Sequence, residues 1–210
     1  LEFEEQDMPI PDRGVFENMY AGLPPWEIGR PQKAFVDAAE QITGSILDAG
    51  CGTGENALFF GERGHRVTGI DFLAEPINRA KKKAAERRLD VTFLVLDATA
   101  LKQLRDVFDS VIDSGLFHVF SDDDRRRYVD GLSSVIKPGG RVFLLSFSDE
   151  EPGEQGPRRV SQKEILIAFA DGWKVESIEA TRCEVRPDVT DFTFSEGGPK
   201  AWFATVRRLG

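Results

Sequence analysis

Two cysteines and two histidines are all that 210 residues offer in thiol and imidazole side chains. Cys51 and Cys183 stand far apart and form no CxxC pair, so neither a disulfide framework nor a thiolate metal site is predicted, and no metal is expected. So few cysteines fit a reducing cytoplasm. Basic residues are also in deficit. Lys and Arg number 27 against 36 Asp and Glu, a formal charge of −9, which argues against a nucleic-acid partner, because phosphate binding needs a basic face. The one strongly basic stretch, "RAKKKAAERR" over 79–88, has helical composition and reads as a solvated helix face. No apolar run approaches the ~20 residues that span a bilayer, and no signal-peptide pattern opens the chain. These absences predict a cytoplasmic protein without a membrane partner. The first residue is Leu1 in place of Met, as expected of a trimmed or tagged terminus.

What is present is an alternation. Short β-rich runs, "SILDA" (45–49), "RVTGID" (66–71), "VTFLVLD" (91–97), "FDSVID" (108–113) and "GRVFLLSF" (140–147), are separated by helical stretches near 54–63, 74–88, 122–136 and 161–170. Such alternation predicts a parallel sheet with helices on both faces. Two further runs, 173–185 and 201–209, have no helix-length segment between them and predict an antiparallel pair at one sheet edge. The expected fold is therefore α/β: a single-domain, Rossmann-like, mostly parallel seven-stranded sheet over 31–210. Ser121, followed by three aspartates, reads as an N-cap with acid in the first turn. Residues 1–30, with Pro9, Pro11, Pro24 and Pro25, read as a lid segment.

"ILDAGCGTGE" (46–55) places Gly50, Gly52 and Gly54 directly after the first strand. Glycines there let backbone N–H groups approach a ligand without an intervening Cβ. The spacing is GxGxG, with Glu55 where a dinucleotide fingerprint has its last glycine, and no Gly-Lys-Ser/Thr follows as in a P-loop. Asp48 would repel a phosphate but suit an ammonium group. Asp71, ending the second strand, is placed to accept ribose hydroxyls, and Asp97, after the third, to accept from an exocyclic amine. A ligand with an amino group, a ribose, an aminated base and no phosphate is S-adenosylmethionine.

The motif set resembles the class I S-adenosylmethionine-dependent methyltransferases over roughly residues 30–180: "LDAGCGTGE" as first motif, "GID" and "LDATAL" as the two acids, "FDSVIDSGLFHVF" at the fourth strand and "IKPGGRVFLL" before the fifth. "PPWEIGRPQ" (24–32) is similar to an element of the thiopurine, thiol and halide methyltransferases and of small bacterial enzymes that methylate heterocyclic toxins. The resemblance implies a cofactor site of Trp26, Arg30, Asp48, Gly50, Gly52, Asp71, Phe72, Asp97, Ala98 and Ser114, with S-adenosylhomocysteine as product. It places Trp26 near the sulfonium, where cation–π attraction is reasonable, and Arg30 near the methionine carboxylate.

For the methyl acceptor, His118 on the rim after the fourth strand is the candidate general base. Tyr20, Trp26, Phe117 and Arg158 are the further candidates for acceptor contact. Acidic charge and a chain without an added recognition domain favour methyl transfer to an O, N or S atom of a small aromatic or heterocyclic molecule. Thiol, thiopurine or halide transfer, an RNA or protein acceptor, and a non-catalytic cofactor-binding module are the alternatives. No apolar stripe stands out, so a monomer is expected.

Overall fold

The computed structural model describes residues 13–189 and 192–210. The first twelve residues of the expected lid lie outside the described residues. In chain order the elements are α1 (Arg13–Tyr20), α2 (Lys33–Asp37), β1 (Ile46–Ala49), α3 (Glu55–Glu62), β2 (Val67–Asp71), α4 (Ala74–Arg87), β3 (Val91–Val95), β4 (Phe108–Ser114), α5 (Asp122–Val135), β5 (Ile136–Phe147), α6 (Gln162–Ala168), β6 (Trp173–Arg182) and β7 (Lys200–Arg208). Short 3-10 turns cover Ala98–Gln103 and Phe117–Val119.

The seven strands form one sheet in the order β3-β2-β1-β4-β5-β7-β6. The first five are parallel, while β7 runs antiparallel to both β5 and β6. Central strands covered on both faces read as continuous apolar runs, and every residue of β1 and β2 is buried. Strand β3, at the edge, buries Phe93 and leaves Leu94 and Val95 outside.

Each face carries its own core. Tyr128, Val129, Leu132 and Val135 of α5 and Ile165 of α6 pack with Leu47, Val111 and Leu144 on one side. On the other, Phe35 of α2, Leu58 and Phe60 of α3 and Ile77 of α4 pack with Ile46, Ile112 and Phe143. Local signals set the helix starts. Ser121 Oγ accepts from Asp124 N at 3.1 Å, and Ser161 with Glu164 forms a capping box at α6, each satisfying donors that a first turn leaves free.

Three elements differ most from the sequence expectation; β5 already starts at Ile136, ahead of the expected 140, and pairs Ile136 with Phe108 across a register shift. Residues 13–20, expected only as part of a lid segment, form a helix whose Phe16 and Tyr20 meet aromatic partners from distant segments. Strand β6 stops at Arg182, three residues early, because Glu184 and Arg186 leave the sheet to bond residues 23–33.

Candidate active site

Strand order reverses between β1 and its two neighbours, β2 and β4, and a crevice opens there beyond the strands' carboxyl ends. The glycine turn forms its floor. Gly52 lies at φ +52, and a Cβ on it would come within 2.8 Å of Tyr20 Oη. Gly54 caps α3 at φ +89, where a Cβ would sit 2.8 Å from Phe93 and 3.0 Å from Ala80. Both positions require glycine.

Asp71 braces this turn: its carboxylate accepts from Gly52 N at 3.1 Å and from Leu73 N at 3.0 Å. Burial pushes its carboxyl up to about 6. Asp97 accepts from Thr99 N and Thr99 Oγ1, both at 2.8 Å, and remains exposed.

A cavity of about 730 Å³ occupies the crevice. Gly50, Gly52, Asp71 and Phe72 line its floor, with Asp97, Ala98 and Ser114 along one side. Tyr20, Trp26 and Arg30 line its roof, and His118 its rear wall. Trp26 Nε1 donates to Tyr20 Oη at 3.0 Å, and Phe16 stands edge-on to Phe72 at 5.7 Å. Trp26, Phe120, Phe147, Phe192 and Phe194 give the part of the cavity beyond the glycine turn an aromatic lining.

Three expected site residues lie elsewhere. Asp48 is wholly buried and does not line the cavity; its side chain falls on the face covered by α3, where burial pushes its carboxyl up to about 8. Phe117 belongs to the core, stacked on Phe169 at 6.0 Å. Arg158 donates to Asp122 and to Glu164, each at 2.6 Å, and ties α5 to α6 away from the cavity. Arg30, though on the cavity, engages Glu184 at 2.7 Å.

The surroundings of His118 do not favour the general base expected there. Phe147 N donates to His118 Nδ1 at 3.0 Å, so the one ring nitrogen that could take a proton is already used. Burial, with Arg125 and Arg159 adding positive charge, pushes the imidazole down to about 3.

Several contributors carry no local signal. Lys83 of α4 donates to Thr53 Oγ1 at 2.7 Å, to Glu55 at 2.8 Å and to Glu27 at 3.1 Å, joining the roof to the glycine turn. Gln32 exchanges two 2.8 Å bonds with the backbone of Glu184, and Arg186 N donates to Pro25 O at 2.8 Å. Asp113 accepts from Leu116 N at 2.9 Å and Phe117 N at 3.2 Å, holding the turn that carries His118. The paired aromatics of "DFTF" (191–194) are the signal that could have located Phe192 and Phe194.

The sheet order and the glycine turn at its switch point define the Rossmann-like methyltransferase fold. A methyltransferase-domain model matches residues 46–140. The chain is 35% identical over 200 residues to the 2-heptyl-1-hydroxyquinolin-4(1H)-one methyltransferase of Mycobacteroides abscessus, covering 93% of this chain and 86% of that protein. It is 27% identical to the probable thiol methyltransferase 2 of Arabidopsis thaliana, over 80% and 76% of the two chains. A solved structure from work on the conversion of a disulfide bond into a thioacetal group during echinomycin biosynthesis superposes with a TM-score of 0.81 at 35% identity, covering 93% and 92%.

The chain belongs to the class I S-adenosylmethionine-dependent methyltransferases. Its residues fit that cofactor: the turn offers bare backbone at Gly50 and Gly52, and Asp71 and Asp97 offer acceptors where a phosphate would be repelled.

Proposed function

We propose that the protein methylates an acidic hydroxyl on a planar, aromatic or heteroaromatic small molecule. The observation that carries this reading is the aromatic lining of the cavity beyond the glycine turn, formed by Trp26, Phe120, Phe147 and Phe194. Flat rings gain from edge and face contacts with such walls. The hydroxyquinolone activity of the mycobacterial relative supports an oxygen acceptor of this shape.

The cofactor supplies a methyl carbon already activated on a sulfonium. Displacement there is in-line, so the chain's task is to align acceptor and methyl and to exclude water; such positioning is worth roughly 7–11 kcal/mol. Asp71 and Asp97 would hold the nucleoside end, and Trp26, whose indole donates to Tyr20, would cover the reacting centre. The bonds from Lys83, Glu184 and Arg186 keep the roof down over it.

Titration calorimetry with S-adenosylmethionine and S-adenosylhomocysteine, on wild type and Asp71→Ala, tests the cofactor site. Loss of two charge-assisted hydrogen bonds predicts at least about a 100-fold weakening. Mass spectrometry of reactions with phenols, hydroxyquinolines, thiols and iodide tests the acceptor. Methylation of thiols or iodide with none on oxygen would defeat the oxygen reading.

A further inference from the structure

We propose that His118 is a fixed hydrogen-bond donor to the acceptor, and that this site takes acceptors whose hydroxyl arrives already ionised. The inference rests on the O-methyl reading above and names the state of the substrate that reading requires.

The tautomer follows from one contact. A backbone N–H can only donate, so Nδ1, 3.0 Å from Phe147 N, carries a lone pair. The hydrogen of the neutral ring therefore lies on Nε2. The ring stands edge-on to Phe147 at 5.1 Å, and its other edge lies against Gly115, where a built Cβ would be 3.3 Å from Nε2. His118 lines the cavity, and Nε2 has no hydrogen-bond partner among the described residues. The ring that lines the cavity thus carries an unengaged N–H donor.

The same ring has no lone pair left to take a proton. A bare Nε2 would put the hydrogen on Nδ1, against the Phe147 N–H. A doubly protonated ring would bring the same clash, beside Arg125 of α5 and Arg159 from the loop after β5. The carboxylates on the cavity are engaged as well. Asp71 holds the glycine turn, Asp97 its own 3-10 turn, Glu27 pairs with Lys83, Glu55 with Lys83 and Arg87, Glu184 with Arg30, and Asp124 with Ser121 and Arg127.

An acceptor that has lost its proton to solvent needs no base. Its oxygen lone pair forms the bond to the methyl carbon, the carbon–sulfur pair returns to sulfur, and both charges disappear. N-hydroxy heterocycles and electron-poor phenols meet this requirement, whereas aliphatic alcohols do not. A hydrogen bond from Nε2 to the oxyanion selects the ionised form, so His118 acts through binding of the acceptor.

The test compares wild type with His118→Asn, whose Oδ1 can still accept from Phe147 N but whose side chain is too short to replace the Nε2 donor. The acceptors are 2-heptyl-1-hydroxyquinolin-4(1H)-one and a ring-fluorinated analogue with a more acidic N-hydroxyl. The rising limb of kcat/KM against pH is expected to move with the acidity of the acceptor and to persist in His118→Asn. KM for the acceptor should rise about 10–100-fold in the variant with kcat little changed. Nitrogen-15 spectra of the two imidazoles should show His118 as the neutral Nε2–H tautomer. A limb at one pH for both acceptors that vanishes in His118→Asn would overturn the proposal, as would an Nδ1–H tautomer. If wild type binds the cofactor yet methylates neither acceptor, the O-methyl reading itself fails.

Discussion

Lys83→Met removes one ammonium group and keeps most of the side chain's stem. In the folded protein that ammonium contacts Thr53, Glu55 and Glu27 at 2.7, 2.8 and 3.1 Å. Glu27 and Glu55 side chains are only 11% and 12% exposed, while Lys83 is 25% exposed. Stripping the partner from a fully buried charge costs about 3–5 kcal/mol, whereas a surface pair is worth about 0–1. The quarter exposure of Lys83 places the expected loss between them, at about 1–2 kcal/mol. Glu55 keeps Arg87 at 2.9 Å, so the deficit falls on Glu27, which among the described residues retains only the Thr53 hydroxyl.

Glu27 belongs to the roof and Thr53 to the glycine turn, so this energy holds the roof against the cofactor site. Stopped-flow displacement of bound S-adenosylhomocysteine should show release accelerated about 5–30-fold. Adding Glu27→Gln removes the stranded charge, and the double variant should recover part of the loss, with a coupling of about 0.5–3 kcal/mol. Two results would refute the reasoning: an unchanged release rate with lower stability, meaning the cluster only packs α3 against α4, or additive single and double variants.

Stability should fall between about pH 5 and about pH 8, because burial raises the Asp48 and Asp113 carboxyls to about 8 and about 7. Over that window the unfolded chain gives up protons that the folded chain keeps, which favours unfolding as pH rises. The lowered carboxyl of Asp109, near 2, acts only in stronger acid, while the His118 imidazole, held at about 3, opposes the fall up to about pH 6.5, so the net loss is steepest above that. Urea midpoints measured against pH should flatten in Asp48→Asn; curves parallel to wild type would contradict the assignment. Arg158→Ala breaks the pairs with Asp122 and Glu164 at partly exposed positions, for a loss of about 0.5–1 kcal/mol and no change in acceptor KM. A several-fold KM increase at unchanged stability would return Arg158 to the acceptor site.

How far the sequence reaches can be followed residue by residue. Ser121 announces its helix because a cap is a contact within four residues. The glycine turn and Asp71 are equally local, one turn and one strand end. The roof is different. Glu27 meets Lys83 across 56 residues and Arg30 meets Glu184 across 154, and charge or periodicity says nothing about which distant partner a polar side chain finds. Arg158 shows the same blindness in reverse: an arginine in a polar loop looks free until α5 and α6 are brought to either side of it.

Asp48 marks a finer limit. Side chains alternate along a strand, so a shift of one residue turns a carboxylate from one face to the other. Asp48 stands one position before the end of β1, opposite Ile112 of β4. Its neighbours Ile46 and Ile112 both belong to the core under α2, α3 and α4. Asp71 is the last residue of β2, and there the chain turns so that its carboxylate reaches back to Gly52. Both are aspartates beside the glycine turn, and the motif alone turns both toward the ligand. Their different surroundings depend on where each strand ends to within one residue, and sequence patterns do not resolve strand ends that finely. His118 poses the same problem at the level of a single atom. Its position after β4 places it on the cavity, but only the N–H of Phe147, 29 residues away, decides which ring nitrogen carries the hydrogen, and so whether the free nitrogen gives a hydrogen bond or takes a proton.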